Sequence, residues 1–315
     1  MPSDPRLPLV IIVGPTAVGK TEIAVQLARR LEGEIVSADS RLFYRGMDIG
    51  TAKPTLDERQ GVPHHLMDVA EPDQSWSLAV FQQEARRVIA AIHARQRLPF
   101  LVGGTGQYVQ AVLQAWVVPK AQPNPALRKS LENWAGQIGN QGLHQRLAVL
   151  DPQAAMNIDF RNVRRTVRAL EVILSTGRPF SIQRQRAPSL YRTLTIGLSR
   201  PRPELYARID ARIHSMLDLG LEDEVRGLLE RGYAPDLPAL SAIGYREMIA
   251  YLQGKFSREE AIAQIKRQTR VFVRRQANWF KPSDPGIRWY SVQANTVDEI
   301  EATIRAWLKA DVQAD

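Results

Sequence analysis

Residues 9 to 21 of this 315-residue chain, Leu-Val-Ile-Ile-Val-Gly-Pro-Thr-Ala-Val-Gly-Lys-Thr, constrain its fold more than any other stretch. Leu9 to Val13 form an unbroken apolar run, the pattern of a parallel-sheet strand covered on both faces. Gly14-x-x-x-x-Gly19-Lys20-Thr21 follows at once, a full P-loop match. In that spacing the glycines let several N–H groups turn toward one anionic centre. Lys20 adds a point charge, and the Thr21 hydroxyl is placed for Mg²⁺. A helix expected from about Thr21 to Leu31 adds the positive end of its dipole. The strand before and the helix after argue against a chance Gly/Thr loop, so the chain is expected to bind a di- or triphosphate. The motif does not say which one, or what is done to it.

The pattern continues as an α/β sheet. Glu34 to Ala38 reads as a second strand ending at Asp39-Ser40, and Leu98 to Val102 as a third, ending in Gly103-Gly104-Thr105-Gly106. Between them, Leu78 to Arg95 has helical spacing of Val80, Phe81, Ala85, Val88, Ile89 and Ile92. Arg41 to Asp73 is too rich in glycine and proline, and too long, for a simple connection, which suggests a functional loop. Sites on such sheets lie beyond the C-terminal strand ends, so the P-loop, Asp39 and Thr105 are expected to meet at one edge.

Val118-Pro-Lys-Ala-Gln-Pro-Asn-Pro125 reads as a stiff polar hinge. It opens a basic, all-helical stretch, 118–190, inserted in a discontinuous core of 1–117 and 191–315. The strand pattern returns at Tyr191 to Ser199. Helices are expected over about Pro203 to Arg231, Ser241 to Gln253 and Ser257 to Phe280, then a strand at Ile287 to Val292 and a helix at Val297 to Leu308.

Composition narrows the classes. There is no cysteine, which excludes a disulfide framework, a thiolate zinc site and a Cys nucleophile. Lys and Arg number 42 against 33 Asp and Glu, a net charge of +9 that favours an acidic or nucleic-acid partner. Met1 to Pro8 is short and polar, unlike a signal peptide. No apolar run is long enough to span a membrane, so a cytoplasmic protein, taken as a monomer, is expected.

Asp39 has three readings: a Mg²⁺-holding acid, a general base, or a helix cap. The third strand offers no competing acid where an NTPase usually has one, which raises Asp39 as the special carboxylate. Thr105 is either a group at the site or an N-cap. Arg161, Arg164, Arg165 and Arg168 fall on one helix face, with Val163, Val167, Leu170 and Leu174 opposite. Lys266, Arg267, Arg270, Arg274 and Lys281 fall within one arc. Ile262, Ile265, Phe272, Val273, Trp279 and Phe280 lie on the other side, in a segment without acids. Such rows are either surface helices of a basic protein or phosphate-backbone contacts. Arg208 and Arg212 stand one turn apart, with Asp210 badly placed to pair with either along the helix. His64-His65 has no companions for a metal site.

Gly14-Pro-Thr-Ala-Val-Gly-Lys-Thr21, Ser37-Ala-Asp-Ser40, Tyr44-Arg-Gly-Met-Asp-Ile-Gly-Thr-Ala-Lys-Pro54, Pro63-His-His-Leu66, Leu101-Val-Gly-Gly-Thr-Gly106, Arg168-Ala-Leu-Glu-Val172, Gly244-Tyr-Arg246, Thr269-Arg270, Arg275-Gln276 and Trp279-Phe280 together resemble the tRNA dimethylallyltransferase family over almost the whole chain. The resemblance implies a P-loop NTPase-like parallel sheet with a helical insertion. It implies transfer of a dimethylallyl group from dimethylallyl diphosphate to N6 of adenosine 37, in the anticodon loop of tRNAs with A36-A37 that read codons beginning with U. Gly14, Thr16, Ala17, Val18, Gly19, Lys20 and Thr21 would then hold the allylic diphosphate, with Mg²⁺ on Thr21. Asp39 would be the base, Thr105 a group beside the reacting centre, and Arg212 a stabiliser of the leaving diphosphate.

Family tRNA contacts match Asp39, Ser40, Arg41 and Leu42, Thr105, and Arg128. They also match Arg161, Asn162, Val163, Arg164 and Arg165, then Ser241, Ala242, Ile243, Gly244, Tyr245 and Arg246. Thr269, Arg270, Arg274, Arg275 and Gln276 complete the set. Leu42 and Phe43 depart from the family's usual Gln and small residue, Gln107 stands where Leu is common, and Phe272-Val273 replaces Tyr-Ala. Three rival expectations remain: an adenylate dimethylallyltransferase of cytokinin synthesis, a P-loop NTPase or small-molecule kinase, and a non-catalytic RNA-binding module.

Overall fold

The computed structural model describes residues 6–114, 116, 124–183 and 188–312. Most of the expected hinge at Val118 to Pro125 lies outside the described residues. The elements run β1 Leu7–Val13, α1 Lys20–Arg30, β2 Gly33–Ser37, α2 Leu56–Arg59, β3 His64–His65, α3 Leu78–Ala94, β4 Leu98–Val102 and α4 Gly106–Leu113. Then come α5 Pro125–Leu150, α6 Pro152–Met156, α7 Val163–Thr176 and α8 Phe180–Gln183. The chain continues through β5 Tyr191–Ser199, α9 Arg202–Asp218, α10 Leu221–Glu230, α11 Tyr245–Leu252, α12 Arg258–Gln276, β6 Ile287–Ser291 and α13 Thr296–Val312.

The six strands form one sheet in the order β3-β2-β4-β1-β5-β6, with every pairing parallel. Helices on both faces explain why β1 is a continuous apolar run. Val10 and Ile12 pack on one side with Ile23, Ala24 and Leu27 of α1. Leu9, Ile11 and Val13 pack on the other with Phe81, Ala85 and Ile89 of α3. Each such aliphatic side chain contributes about 1.5–3 kcal/mol by burial. An acid at Ile11 would leave a charge with no partner in that layer.

Contacts divide the chain into two compact units, Gln114–Ser189 and Met1–Leu113 with Leu190–Asp315. The first unit has its own core of Leu131, Leu143, Leu147, Val167 and Leu170. Its long helix α5 is broken at Gly139, whose φ of 77° leaves the helical region.

Several expected helices have different ends. The stretch from Pro203 to Arg231 is two helices, because Gly220 turns left-handed at φ 93° and the amide of Gly220 closes onto the carbonyl of Leu217. The helix expected from Ser241 starts at Tyr245, after Gly244 at φ 100°. The helix expected to reach Phe280 ends at Gln276, so Lys281 does not belong to the basic row of α12. Phe272 and Trp279, assigned to the apolar side, are exposed, while Ile265, Val273 and Phe280 are buried.

The region Arg41 to Asp73 carries more structure than expected. Residues 64–65 form an edge strand on β2, and buried Lys53 bonds Asp48 Oδ1 and Asp68 Oδ1 at 2.5 Å each and the Tyr44 carbonyl at 2.8 Å. Glu224 accepts the amides of Asp48, Ile49 and Gly50 at 2.8, 2.7 and 3.1 Å. The Asp48-to-Pro54 motif is thereby pinned from both sides.

Candidate active site

Because β2, β4, β1 and β5 are parallel neighbours, their C-terminal ends share one edge of the sheet. Asp39, Gly103 to Thr105, the P-loop and Arg200 all follow there. Glycine is required at Gly14, where an added Cβ would lie 2.7 Å from the Leu198 carbonyl. It is required again at Gly103, where a Cβ would lie 2.5 Å from the Ala38 carbonyl and hold the ends of β2 and β4 apart.

Cations hold the P-loop carbonyls. Lys20 Nζ donates to Gly14 O at 3.0 Å and Pro15 O at 2.8 Å. Arg208 Nε donates to Ala17 O and Arg200 Nε to Val18 O, both at 2.9 Å. Arg200 also pairs with Glu204. Arg208 thus has a partner that no helical spacing could reveal. Ala17 stays in the left-handed region at φ 63°, a conformation that needs outside support in a non-glycine residue.

Burial pulls the Lys20 ammonium down to about 8, against an upward pull from Asp39 and a further downward push from Arg212. Lys20, Asp39 and Arg212 therefore feel one another across a single site. The Arg212 guanidinium is itself pulled down, first by desolvation and then by Arg208. Lys20 spends two of its three donors on the loop and keeps one. Thr21 is exposed at the start of α1.

Asp39 Oδ1 accepts the Arg41 amide at 3.0 Å, an Asx-type turn. The Thr105 hydroxyl accepts the Ser40 amide at 3.4 Å, which ties the two strand ends together. The Arg41 side chain turns away to the carbonyls of Pro238 and Ala239 at 2.9 and 3.1 Å. Leu42 is half-buried, and its carbonyl accepts the Asp68 amide.

The Phe43 departure has a structural reason. Its fully buried ring lies 5.7 Å from Tyr108, 5.8 Å from Phe81 and 5.4 Å from Trp76, centroid to centroid. Burial pushes the Tyr108 phenol up to about 12, and Asp39 and Arg41 both act on it. Tyr108 brings this stack within electrostatic range of Asp39. The members of the stack lie far apart in sequence, so spacing gave no sign of it. Gln107 is exposed.

The second basic row is partly engaged. Arg270 pairs with Asp210 at 2.7 Å, so Asp210 finds across to α12 the partner it lacks along α9. Lys266 Nζ lies 3.0 Å from His214 Nε2. Lys266, Arg267, Arg270 and Arg274 line a groove of about 490 Å³ with Tyr206. Arg275 is exposed. The Thr269 hydroxyl bonds the Ile265 carbonyl within α12.

Gln276 is buried and turned inward, accepting the Thr16 amide at 2.9 Å and donating to the Gly104 carbonyl at 3.1 Å. Tyr245 is also a core residue, donating its hydroxyl to Glu224 at 2.5 Å. Ala242 and Gly244 are buried and Ile243 half-buried, which leaves Ser241 and Arg246 at the surface of that segment. The side chains of Gln276, Tyr245 and Ala242, expected at the RNA surface, are thus turned into the core.

In the helical unit the first basic row is shorter than its spacing predicts. Asn162 caps α7, with its Oδ1 accepting the Arg165 amide at 3.2 Å, and Val163 opens the helix. Arg161 therefore precedes the helix and forks onto Asp159 at 3.0 and 2.8 Å, holding that carboxyl down at about 2. Arg168 and Arg128 both grip the fully buried Glu171. Arg164 and Arg165 remain exposed, and Leu174, expected on the apolar side, is exposed too.

No group of three or more His, Cys, Asp or Glu suited to a metal occurs among the described residues. His65 Nε2 meets Glu34 Oε2 at 2.6 Å and His64 Nδ1 meets the Val62 carbonyl at 2.8 Å, so the histidine pair serves the sheet edge. The protein oxygen expected on Mg²⁺, the Thr21 hydroxyl, belongs to an exposed residue, and a Mg²⁺ there would keep several waters and take its other oxygens from a bound phosphate.

The family model described as IPP transferase matches residues 42–283. A tRNA dimethylallyltransferase of Roseiflexus sp. (strain RS-1) is 53% identical over 305 residues, covering 96% of this chain and all of that protein. The crystal structure of the full-length tRNA isopentenylpyrophosphate transferase of Bacillus halodurans is 44% identical, with a TM-score of 0.73 over 97% of this chain and 98% of that one. A eukaryotic dimethylallyltransferase acting on tRNA is 27% identical, with a TM-score of 0.79 over 95% of this chain and 77% of that one.

Proposed function

The chain belongs to the IPP transferase family, and we propose that it transfers a dimethylallyl group from dimethylallyl diphosphate to N6 of adenosine 37 in tRNAs reading codons that begin with U. One observation carries the chemistry: a cation-rimmed P-loop after β1 and the carboxylate Asp39 after β2 lie at one edge of the sheet within electrostatic reach of each other, with the glycine turn of the intervening β4 where an NTPase would place a further acid. The site is built to hold a diphosphate and to accept a proton.

The bond between the allylic carbon and the diphosphate oxygen breaks, and its electron pair leaves with the diphosphate. Charge grows on those oxygens, where Lys20 and Arg212 offset it in a setting of low dielectric. Gly14 and Thr16 to Thr21 hold the diphosphate. When bound on Thr21, Mg²⁺ supplies further charge neutralisation of the leaving group. The N6 lone pair forms the new N–C bond, and Asp39 takes the N6 proton. The adenine N6 amine is a poor nucleophile, so removal of that proton as the bond forms matters. Thr105, tied to Ser40, positions the acceptor beside Asp39.

The base reaches this edge by leaving the anticodon-loop stack. Exposed Arg164 and Arg165 of the helical unit bind the RNA backbone, and Arg267, Arg274, Arg246 and Ser241 offer RNA contacts on the core. Arg128 and Arg161 are held by Glu171 and Asp159 within the helical unit, and Arg41 by main-chain carbonyls within the core. No described helix is long and apolar enough to cross a membrane.

A transfer assay tests the whole. Labelled dimethylallyl diphosphate with Mg²⁺ is offered unmodified tRNA carrying A36-A37, the same tRNA with A37 replaced, and AMP. Label is expected in the first alone. Label in AMP would move the protein to the cytokinin branch, and label in none would return attention to ATP turnover.

A further inference from the structure

The last turn of α12 is the least expected part of the site. Gln276 lies 260 residues from Thr16, yet its side-chain oxygen accepts the Thr16 amide at 2.9 Å while its nitrogen donates to the Gly104 carbonyl at 3.1 Å. One amide thus joins the diphosphate loop after β1 to the glycine turn after β4. The fit leaves no slack. A Cβ on Gly104 would lie 2.3 Å from Gln276 Nε2, and a Cβ on Gly106 would lie 2.1 Å from the Trp279 ring. Gly104 therefore seats the last residue of α12, and Gly106 seats Trp279 just beyond it. The same helix carries Lys266, Arg267, Arg270 and Arg274 along its basic groove.

A helix whose last residue makes one part-buried and one buried hydrogen bond to the catalytic loops is a rigid lever. An α-helix transmits displacement along its axis because its backbone bonds run parallel to that axis. Thr16 contributes an amide to the loop, and the direction of that amide depends on Gln276. Resting on the diphosphate and RNA roles given above, we infer that Gln276 is a positioning residue: it fixes Thr16 and Gly104 against each other and makes α12 the link through which RNA on the basic groove tightens the diphosphate loop. In this role its side chain serves the loops and not the RNA.

Linkage makes the inference measurable. If RNA raises diphosphate affinity by a factor, diphosphate raises RNA affinity by the same factor. The experiment is calorimetric titration of inorganic diphosphate with Mg²⁺ into the full chain, with and without an unmodified anticodon stem-loop, for wild type and Gln276→Met. Methionine keeps the length and volume and removes both hydrogen bonds. Wild type is expected to bind diphosphate at least about fivefold more tightly with RNA present. In Gln276→Met, diphosphate affinity is expected to fall about tenfold, RNA affinity alone to hold, and the RNA-dependent factor to collapse to one.

Gly104→Ala pushes the same amide from the other side and should show the same signature, which keeps the test alive if Gln276→Met fails to fold. A variant that loses RNA affinity while diphosphate affinity and the coupling factor stay at wild-type values would make Gln276 an RNA ligand and overturn the inference. So would a wild-type coupling factor of one. Wild type that binds no diphosphate at all would instead overturn the functional reading on which the inference rests.

Discussion

Asp39 accepts the backbone amide of Arg41 on one carboxylate oxygen at 3.0 Å, so the proposed base is also the pivot of its own turn. The bond fixes the carboxylate relative to β2 and leaves the other oxygen for a proton. Asp39→Asn keeps an oxygen for the turn and removes the basicity. Transfer is expected to fall by at least about 10², with RNA and diphosphate binding preserved. Single-turnover transfer beside binding titrations checks this, and near wild-type turnover would remove Asp39 as the base.

Lys20 sets a pH dependence whose sign can be worked out. Its pKa is about 8 in the folded site, well below the usual lysine value, because burial penalises the ammonium. A bound diphosphate favours the charged form and raises that pKa again. Below pH 8 Lys20 is protonated before and after binding, and affinity is flat in this respect. Above pH 8 binding must take up the missing proton, so affinity falls by up to about tenfold per pH unit. Calorimetry at pH 9 in two buffers of different ionisation heat measures that proton. Zero uptake would mean that Lys20 does not face the ligand. The same shift makes the ligand-free fold gain stability as pH rises from 8 toward the unfolded value, since over that window the unfolded chain holds the proton that the folded one has released.

Arg164 and Arg165 are the exposed remainder of the row on α7. Arg164→Glu with Arg165→Glu is expected to weaken tRNA binding and leave diphosphate binding intact. Each lost phosphate contact should lower the slope of log affinity against log salt by roughly 0.7–0.9. Binding measured at several salt concentrations tests this. Equal loss of both ligands would show that these arginines belong to the diphosphate site.

Lys53 is the pin of the Asp48-to-Pro54 motif, its side chain 4% exposed between Asp48 and Asp68. Lys53→Met should cost about 1–3 kcal/mol of stability, the low end applying because both carboxylates reach water and can rehydrate. Urea unfolding provides the number, and an unchanged midpoint would make the pin dispensable.

The central strands β1, β2 and β4 were legible in sequence because they are short apolar runs that stop at Gly14, Asp39 or Gly103, whereas the edge strand β3 is two histidines with no such pattern. The P-loop, Asp39 and Thr105 could be placed at one edge from that alone. The partners that complete the site were not legible, because they are tertiary. Nothing near Gln276 points to Thr16, and nothing near Glu224 points to the amides of residues 48–50. Helical spacing put Arg161 and Arg168 on one face with Arg164, but Asn162 starts the helix after Arg161 and buried Glu171 claims Arg168. Periodicity reports which face is apolar, and it is silent about which charges already have a partner.

The carbonyls of Gly14, Pro15, Ala17 and Val18 are each held by a lysine or arginine. A loop so anchored gives up its conformational entropy when the chain folds, and little remains to be lost when a small anion arrives. For a ligand as compact as an allylic diphosphate, that difference decides whether a few charged contacts suffice to retain it. The arginines of α9 and the turn before it, distant in sequence from the loop they brace, thus move a cost of binding into the stability of the fold.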